Sequence, residues 1–200
     1  MRARLLICAP LGLEAQALRA ALGRKAVRRT GFGPRRSARS ATALAEEDFD
    51  LLVVAGLGGG IGEGVRSGDV VVADEVRGPE SSVRCRAAPA LAAELRRAGF
   101  PVHCGPILTT RHLVRGARRA ELARTGALAV DMESAVLARA AREIAVVRVV
   151  LDTAEEPLLR WGTPRRALAA LARLHAVGSC LSRCSSAAAP QDHHTPEEVS

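Results

Sequence analysis

Two carboxylates stand together where an apolar run hands over to a helix. Ala127 to Val130 ends on Asp131-Met132-Glu133, and an alanine-rich segment with helical periodicity follows through Ala141. In an open α/β sheet, ligands sit at the carboxyl ends of strands, where such acids can hold hydroxyls or move protons. A structural role is equally open, because the macrodipole favours Asp and Glu in a first helical turn. The pattern recurs elsewhere. Glu14 follows the run Ala3 to Ala9, Asp152 ends the run Val146 to Leu151, and Thr109 and Thr110 follow Val102 to Leu108. Each acid alone has an ordinary explanation as an N-cap, turn or first-turn residue. Four carboxylates and a glycine-rich turn on one rim are more than a bland domain requires.

The glycine run after Leu57 is a separate signal. G-L-G-G-G-I-G-E-G is out of register for a dinucleotide fingerprint, and no lysine follows to make a Walker loop. It offers close backbone approach and free N–H groups for an anion or a sugar oxygen. The cysteines (Cys8, Cys85, Cys104, Cys180 and Cys184) are odd in number and lack paired zinc spacing. They read as unpaired thiols in a reducing cytoplasm, and neither a metal nor a cofactor is expected.

The elements that must position these residues alternate between strand and helix. Strands are expected at Ala3 to Ala9, Leu51 to Leu57, Val70 to Ala73, Val102 to Leu108 (broken by Pro106), Ala127 to Val130 and Val146 to Leu151. Helices are expected at Glu14 to Leu22, Arg35 to Glu46, Ala90 to Ala98, Gly116 to Thr125 and Arg165 to Leu181. The last should bury a stripe of Leu168, Leu171 and Leu174. Arg77 to Arg86 reads as a loop. The alternation specifies an α/β fold with a mixed or mostly parallel sheet. Residues 1–181 form one domain, and 182–200, rich in turn formers, are expected to be disordered.

Composition excludes some partners. The net charge of +8 comes almost wholly from arginine, since Lys25 is the only lysine, and Tyr and Asn are absent. That is the signature of a GC-rich coding sequence rather than of nucleic-acid binding, and aromatics at 2% offer few stacking platforms. Arginines remain compatible with an anionic ligand or membrane headgroups. The apolar run after Arg2 and Arg4 is too short for a signal peptide, and no run is long enough to span a membrane.

Five segments carry a resemblance: L-L-I-C-A-P-L-G-L-E-A, T-G-F-G-P, V-A-G-L-G-G-G-I followed by V-R-S-G-D-V-V-V-A-D-E, A-V-D-M-E-S-A, and V-R-V-V-L-D-T-A. Over roughly residues 5 to 175 the chain resembles the nucleoside phosphorylase and nucleosidase superfamily, nearest the hopanoid-biosynthesis branch that removes adenine from adenosylhopane. The resemblance implies a three-layer fold, a mixed central sheet flanked by helices, and cleavage of the N-glycosidic bond of a purine nucleoside. It implies that Glu14 activates water and that Asp152 protonates the purine at N7. Met132 and Glu133 would hold the ribose, Leu113 and Val114 would flank the base, and the turn Leu57-Gly58-Gly59 would approach water or phosphate. It also implies a homo-oligomer. The chain departs from the nucleosidases in having Leu151 and Leu57 where serines are usual. The segment between Glu75 and Gly105 is also short, which leaves the 5′ side of the sugar open and suits a large apolar, lipid-linked substituent with peripheral membrane contact.

Hydrolysis and phosphorolysis both remain open at this point. Arg35, Arg36 and Arg66 lie near glycine turns and could serve phosphate as a co-substrate, but Glu14 would repel an anion, which favours water. A catalytically weak nucleoside-binding protein and an arginine-driven binder of anionic surfaces are the alternatives of other classes.

Overall fold

The computed structural model describes residues 4–157 and 163–187. Its strands are β1 (Leu5–Ala9), β2 (Val27–Arg29), β3 (Leu51–Gly60), β4 (Val70–Arg77), β5 (Ser82–Arg84), β6 (Val102–Thr109), β7 (Ala129–Asp131) and β8 (Ile144–Asp152). Its helices are α1 (Gly12–Leu22), α2 (Pro34–Leu44), α3 (Ala88–Arg97), α4 (Ala117–Ala123), α5 (Ser134–Leu137) and α6 (Thr163–Ala187). They make the expected α/β architecture, a mixed sheet flanked by helices.

β8 is the centre of the sheet. It pairs parallel to β3 along one edge and antiparallel to β4 along the other. β4 pairs with β6, β6 with β7, and β7 returns antiparallel to the end of β3. The strands β3, β8, β4, β6 and β7 therefore close into a ring, with β1 and β2 extending it in parallel from β3. Valine dominates the closed part because both faces are covered, so the strands read as continuous apolar runs rather than alternating ones.

Several expectations change. β3 does not stop at Leu57 but continues through the glycines to Gly60, so Leu57-Gly58-Gly59 is strand, not turn. The reason is steric. A Cβ on Gly58 would lie 3.2 Å from the Val130 carbonyl oxygen of β7, and one on Gly60 would lie 2.9 Å from Val150 of β8. The ring can close only where side chains are missing. β6 runs unbroken through Pro106, and the loop expected at Arg77 to Arg86 contains β5, a short edge strand on β4. The alanine-rich helix after Glu133 is a single turn followed by a 3-10 turn, Ala138–Ala140.

The closing helix α6 packs on α1, where Gly178 lets Leu18 and Ala21 approach to 3.1 Å of its Cβ position. Its buried stripe is Ala170, Leu174, Val177 and Leu181, whereas Leu168 is exposed. α6 also continues past the expected boundary at Leu181 to Ala187, and residues 188–200 of the expected tail lie outside the described residues.

Candidate active site

Glu14 enters the site as a first-turn residue of α1. Its Oε2 accepts the Leu11 N–H at 2.7 Å, capping the helix, and its Oε1 accepts the Leu57 N–H of β3 at 2.8 Å. The structural and functional roles open to Glu14 are thus compatible in one side chain. Burial pushes its carboxyl up, and the Arg148 charge and the two N–H donors only partly oppose this.

Arg148 organises the carboxylates. It lies in the middle of β8 and is fully buried, with Nε 3.0 Å and Nη2 2.8 Å from Asp131 Oδ2 and Nη2 3.7 Å from Glu133 Oε2. Gly56 makes room for it beside Glu14: a Cβ there would sit 2.7 Å from Arg148 Nη1 and 3.0 Å from Glu14 Oε1. Asp131 is the firm ionic partner. It accepts the Thr109 hydroxyl at 2.7 Å and the Ser134 hydroxyl, and it receives the backbone N–H groups of Glu133 and Ser134 at 3.2 Å each. Burial alone would raise its carboxyl; the Arg148 charge and these donors outweigh it and hold it below the usual range. Glu133 is held by the N–H of Gly33 at 2.9 Å, presented from a backbone at φ 86° that glycine adopts without strain. Burial raises the Glu133 carboxyl, with Arg148 opposing and Asp131 reinforcing.

Asp152 reaches the site through a bulge. The β3–β8 register passes from Gly58↔Val150 to Gly59↔Asp152, skipping Leu151 and setting Asp152 beside the glycines. Its Oδ2 accepts Arg119 Nη2 from α4 at 2.5 Å, and both side chains are buried. Burial raises the Asp152 carboxyl, while Arg119, Arg166 and Arg115 pull the other way.

These groups surround one cavity of about 240 Å³. Glu14, Asp131, Glu133 and Asp152 all line it, as do Leu57, Gly58 and Gly59. So do Met132, Leu113 and Val114. Met132 is half-buried, Val114 is buried and Leu113 is 45% exposed. Arg35, Arg36 and Arg66 do not line it. The acids do not share one carboxyl rim, however. β7 runs against β3, so Asp131 and Glu133 arrive from the opposite direction to Glu14 and Asp152. Thr109 and Thr110 serve the frame: Thr109 holds Asp131 and the Ala135 N–H, and Thr110 holds the Asp131 carbonyl.

Sequence reasoning missed Arg148 and Arg119. Arg148 carried a usable signal, since a lone charge inside V-V-R-V-V-L is buried only if paired. Arg119 carried none, sitting in a helix among other arginines. Together the geometry provides three carboxyls with raised proton affinity, a fourth on a neutralising guanidinium, and apolar walls between them. Such a site can deliver a proton to one end of a flat ligand and take one from a water at the other.

No match is found among curated proteins. Solved structures share the fold. An S-adenosylhomocysteine nucleosidase from Streptococcus pyogenes, in complex with 5-methylthiotubericidin, is 20% identical with a TM-score of 0.75, over 92% of this chain and 98% of that one. The Campylobacter jejuni 5′-methylthioadenosine/S-adenosylhomocysteine nucleosidase is 15% identical with a TM-score of 0.77, over 92% and 99%. The Borrelia burgdorferi protein of that description, bound to adenine, is 16% identical with a TM-score of 0.74, over 90% and 99%. The family model described as the phosphorylase superfamily matches residues 17–180, and the chain belongs to that superfamily.

Proposed function

We propose that this protein is a nucleosidase that hydrolyses the N-glycosidic bond of a purine nucleoside and releases adenine. The observation that carries the reading is the single cavity with Glu14 and Asp152, both of raised proton affinity, and with Glu133 also on its wall. Asp152 protonates N7 of the base, turning it into a neutral leaving group. Glu133 and Met132 hold the ribose, and the negative charge beside the sugar stabilises the oxocarbenium-like transition state. Glu14, fixed by two backbone N–H groups, accepts the proton of the attacking water. Leu113 and Val114 flank the base.

Water is favoured over phosphate because Arg35, Arg36 and Arg66 do not line the cavity, Arg119 on its wall is engaged by Asp152, and Glu14 faces into it. The exposed Leu11, Phe32 and Leu113 on the cavity wall support an apolar 5′ substituent, and adenosylhopane is the substrate we favour. The same apolar opening, with Leu13 63% exposed nearby, supports contact with a lipid surface or a second copy of the chain. Cys8 and Cys85 are buried free thiols pushed up to about 12 by burial, which makes them unreactive.

The test is adenine release from adenosine, methylthioadenosine, adenosylhomocysteine and adenosylhopane, with and without phosphate. The expected result is the free sugar, with its 5′ substituent, rather than the sugar 1-phosphate, the highest kcat/KM on adenosylhopane, and a loss of about 10²-fold or more in Glu14→Gln and Asp152→Asn with the fold retained. Parent-like turnover in both variants would sink the assignment.

A further inference from the structure

Asp152 has a partner that the proposed chemistry does not yet use. Arg119 projects from α4 into the wall of the cavity and bonds to one oxygen of the acid. The other charged residues of that helix stay outside: Arg118 pairs with Glu121 at the surface. Arg119 is buried to 6% exposure and Asp152 to 7%, so the contact is shielded from solvent in a way that surface pairs are not. β3 is shaped around it. A Cβ on Gly59 would stand 2.8 Å from Arg119 Nη2 and 3.3 Å from Asp152 Oδ1. Among the described residues, only Arg119 bonds to the Asp152 carboxyl. Its Nη1 is buried with no partner among those residues, an arrangement that costs stability unless it serves a ligand or a water.

We propose that Arg119 is the positioning residue of the base-site acid: Nη2 fixes Asp152 Oδ2, leaves Oδ1 to the base, and stabilises the carboxylate as its proton departs. The inference rests on the nucleosidase reading. In the step it serves, the proton moves from Asp152 to purine N7. The C1′–N9 bond breaks, its electron pair goes to the base, and a water oxygen bonds to C1′ and gives its proton to Glu14. Asp152 is left anionic against the guanidinium and takes its next proton from solvent, to which Glu14 returns the one it accepted.

Two opposed demands on Asp152 are then met by different surroundings. Burial keeps a proton on the acid, and Arg119 makes that proton easier to give up. The other charges around Asp152 are less direct. Arg166 of α6 is engaged with the Pro157 carbonyl and Thr163, Arg115 is exposed, and Glu155 in the following loop is exposed.

The test uses Arg119→Gln and Arg119→Lys. The readouts are the pH profile of kcat/KM for adenine release and the carbon NMR titration of the Asp152 carboxyl in the free protein, assigned against Asp152→Asn. In Arg119→Gln the alkaline limb and the carboxyl titration both move to higher pH, and kcat/KM at the parent's optimum falls about 10²-fold. Arg119→Lys returns both toward the parent. An unmoved titration in Arg119→Gln overturns the inference, even where activity has fallen. A parent that releases no adenine removes the nucleosidase reading, while the titration still decides the pair. Where Arg119→Gln loses the fold, Gly59→Ala takes its place, because the added methyl displaces Nη2 and moves the titration in the same direction.

Discussion

Arg148 shows what a single buried charge can hold together. Its desolvation is offset by Asp131, Glu133 and the nearby Glu14, and their combined field raises its own proton affinity against burial. Removing one partner of such a pair leaves the other buried and uncompensated, at a cost of about 3–5 kcal/mol. Arg148→Met is expected to lose that much in urea unfolding, and adding Asp131→Asn should recover part of it. Recovery of nothing would mean that the guanidinium contributes by packing alone. Asp131 and Glu133, two positions apart in sequence, separate on this point. Asp131 is clamped by hydroxyls and backbone, while Glu133 has fewer donors and faces the cavity. The sequence pattern placed both at a strand end. It did not show which was free, because that depends on Thr109 and Ser134 folding onto Asp131 from either side.

Among the elements, β3 is where reading by pattern went furthest astray. Five residues with four glycines resemble a turn, and a ligand-binding turn at that. The glycines instead record what lies opposite: Arg148 at Gly56 and Gly58, Arg119 at Gly59, Val150 at Gly60. Local composition cannot report neighbours contributed by β7, β8 and α4, which lie far along the chain. Gly56→Ala is the sharpest probe of this. Its methyl meets Arg148 Nη1 at 2.7 Å and Glu14 Oε1 at 3.0 Å, so overpacking should cost about 1–3 kcal/mol and displace the Glu14 carboxyl. Thermal unfolding and adenine release should both fall; an unchanged melting temperature would show that Arg148 gives way freely. The strands and helices themselves were legible because their apolar runs are long. Only the weakly marked strands β2 and β5 escaped, and the helix expected after Glu133 shrank to the one-turn α5.

At the scale of the whole molecule, the site makes stability depend on pH in two directions. Asp131 is depressed in the folded state, so its contribution is present above the unfolded value near pH 4 and is lost as pH falls through the folded one. Glu14, Glu133 and Asp152 are raised, so theirs is present at low pH and is lost as pH rises through the folded values. The raised proton affinity of these carboxyls thus costs the protein stability at neutral pH. The advantage of the parent over Glu14→Gln, measured by urea midpoint, is expected to shrink as pH rises from about 4 upward. An advantage that grows with pH would reverse the sign assigned to Glu14.

The ring of strands has a temporal consequence. Among the described residues β8 is the last strand to be synthesised, yet it fills the place between β3 and β4. Until it emerges from the ribosome, both neighbours carry bare hydrogen-bonding edges of the kind that recruit other chains. The same strand delivers Arg148 and Asp152. A nascent chain that stops short of Ile144 therefore lacks both the keystone of its sheet and two charged residues of its candidate site. The closure of the sheet and the completion of the candidate site thus hang on one nine-residue strand.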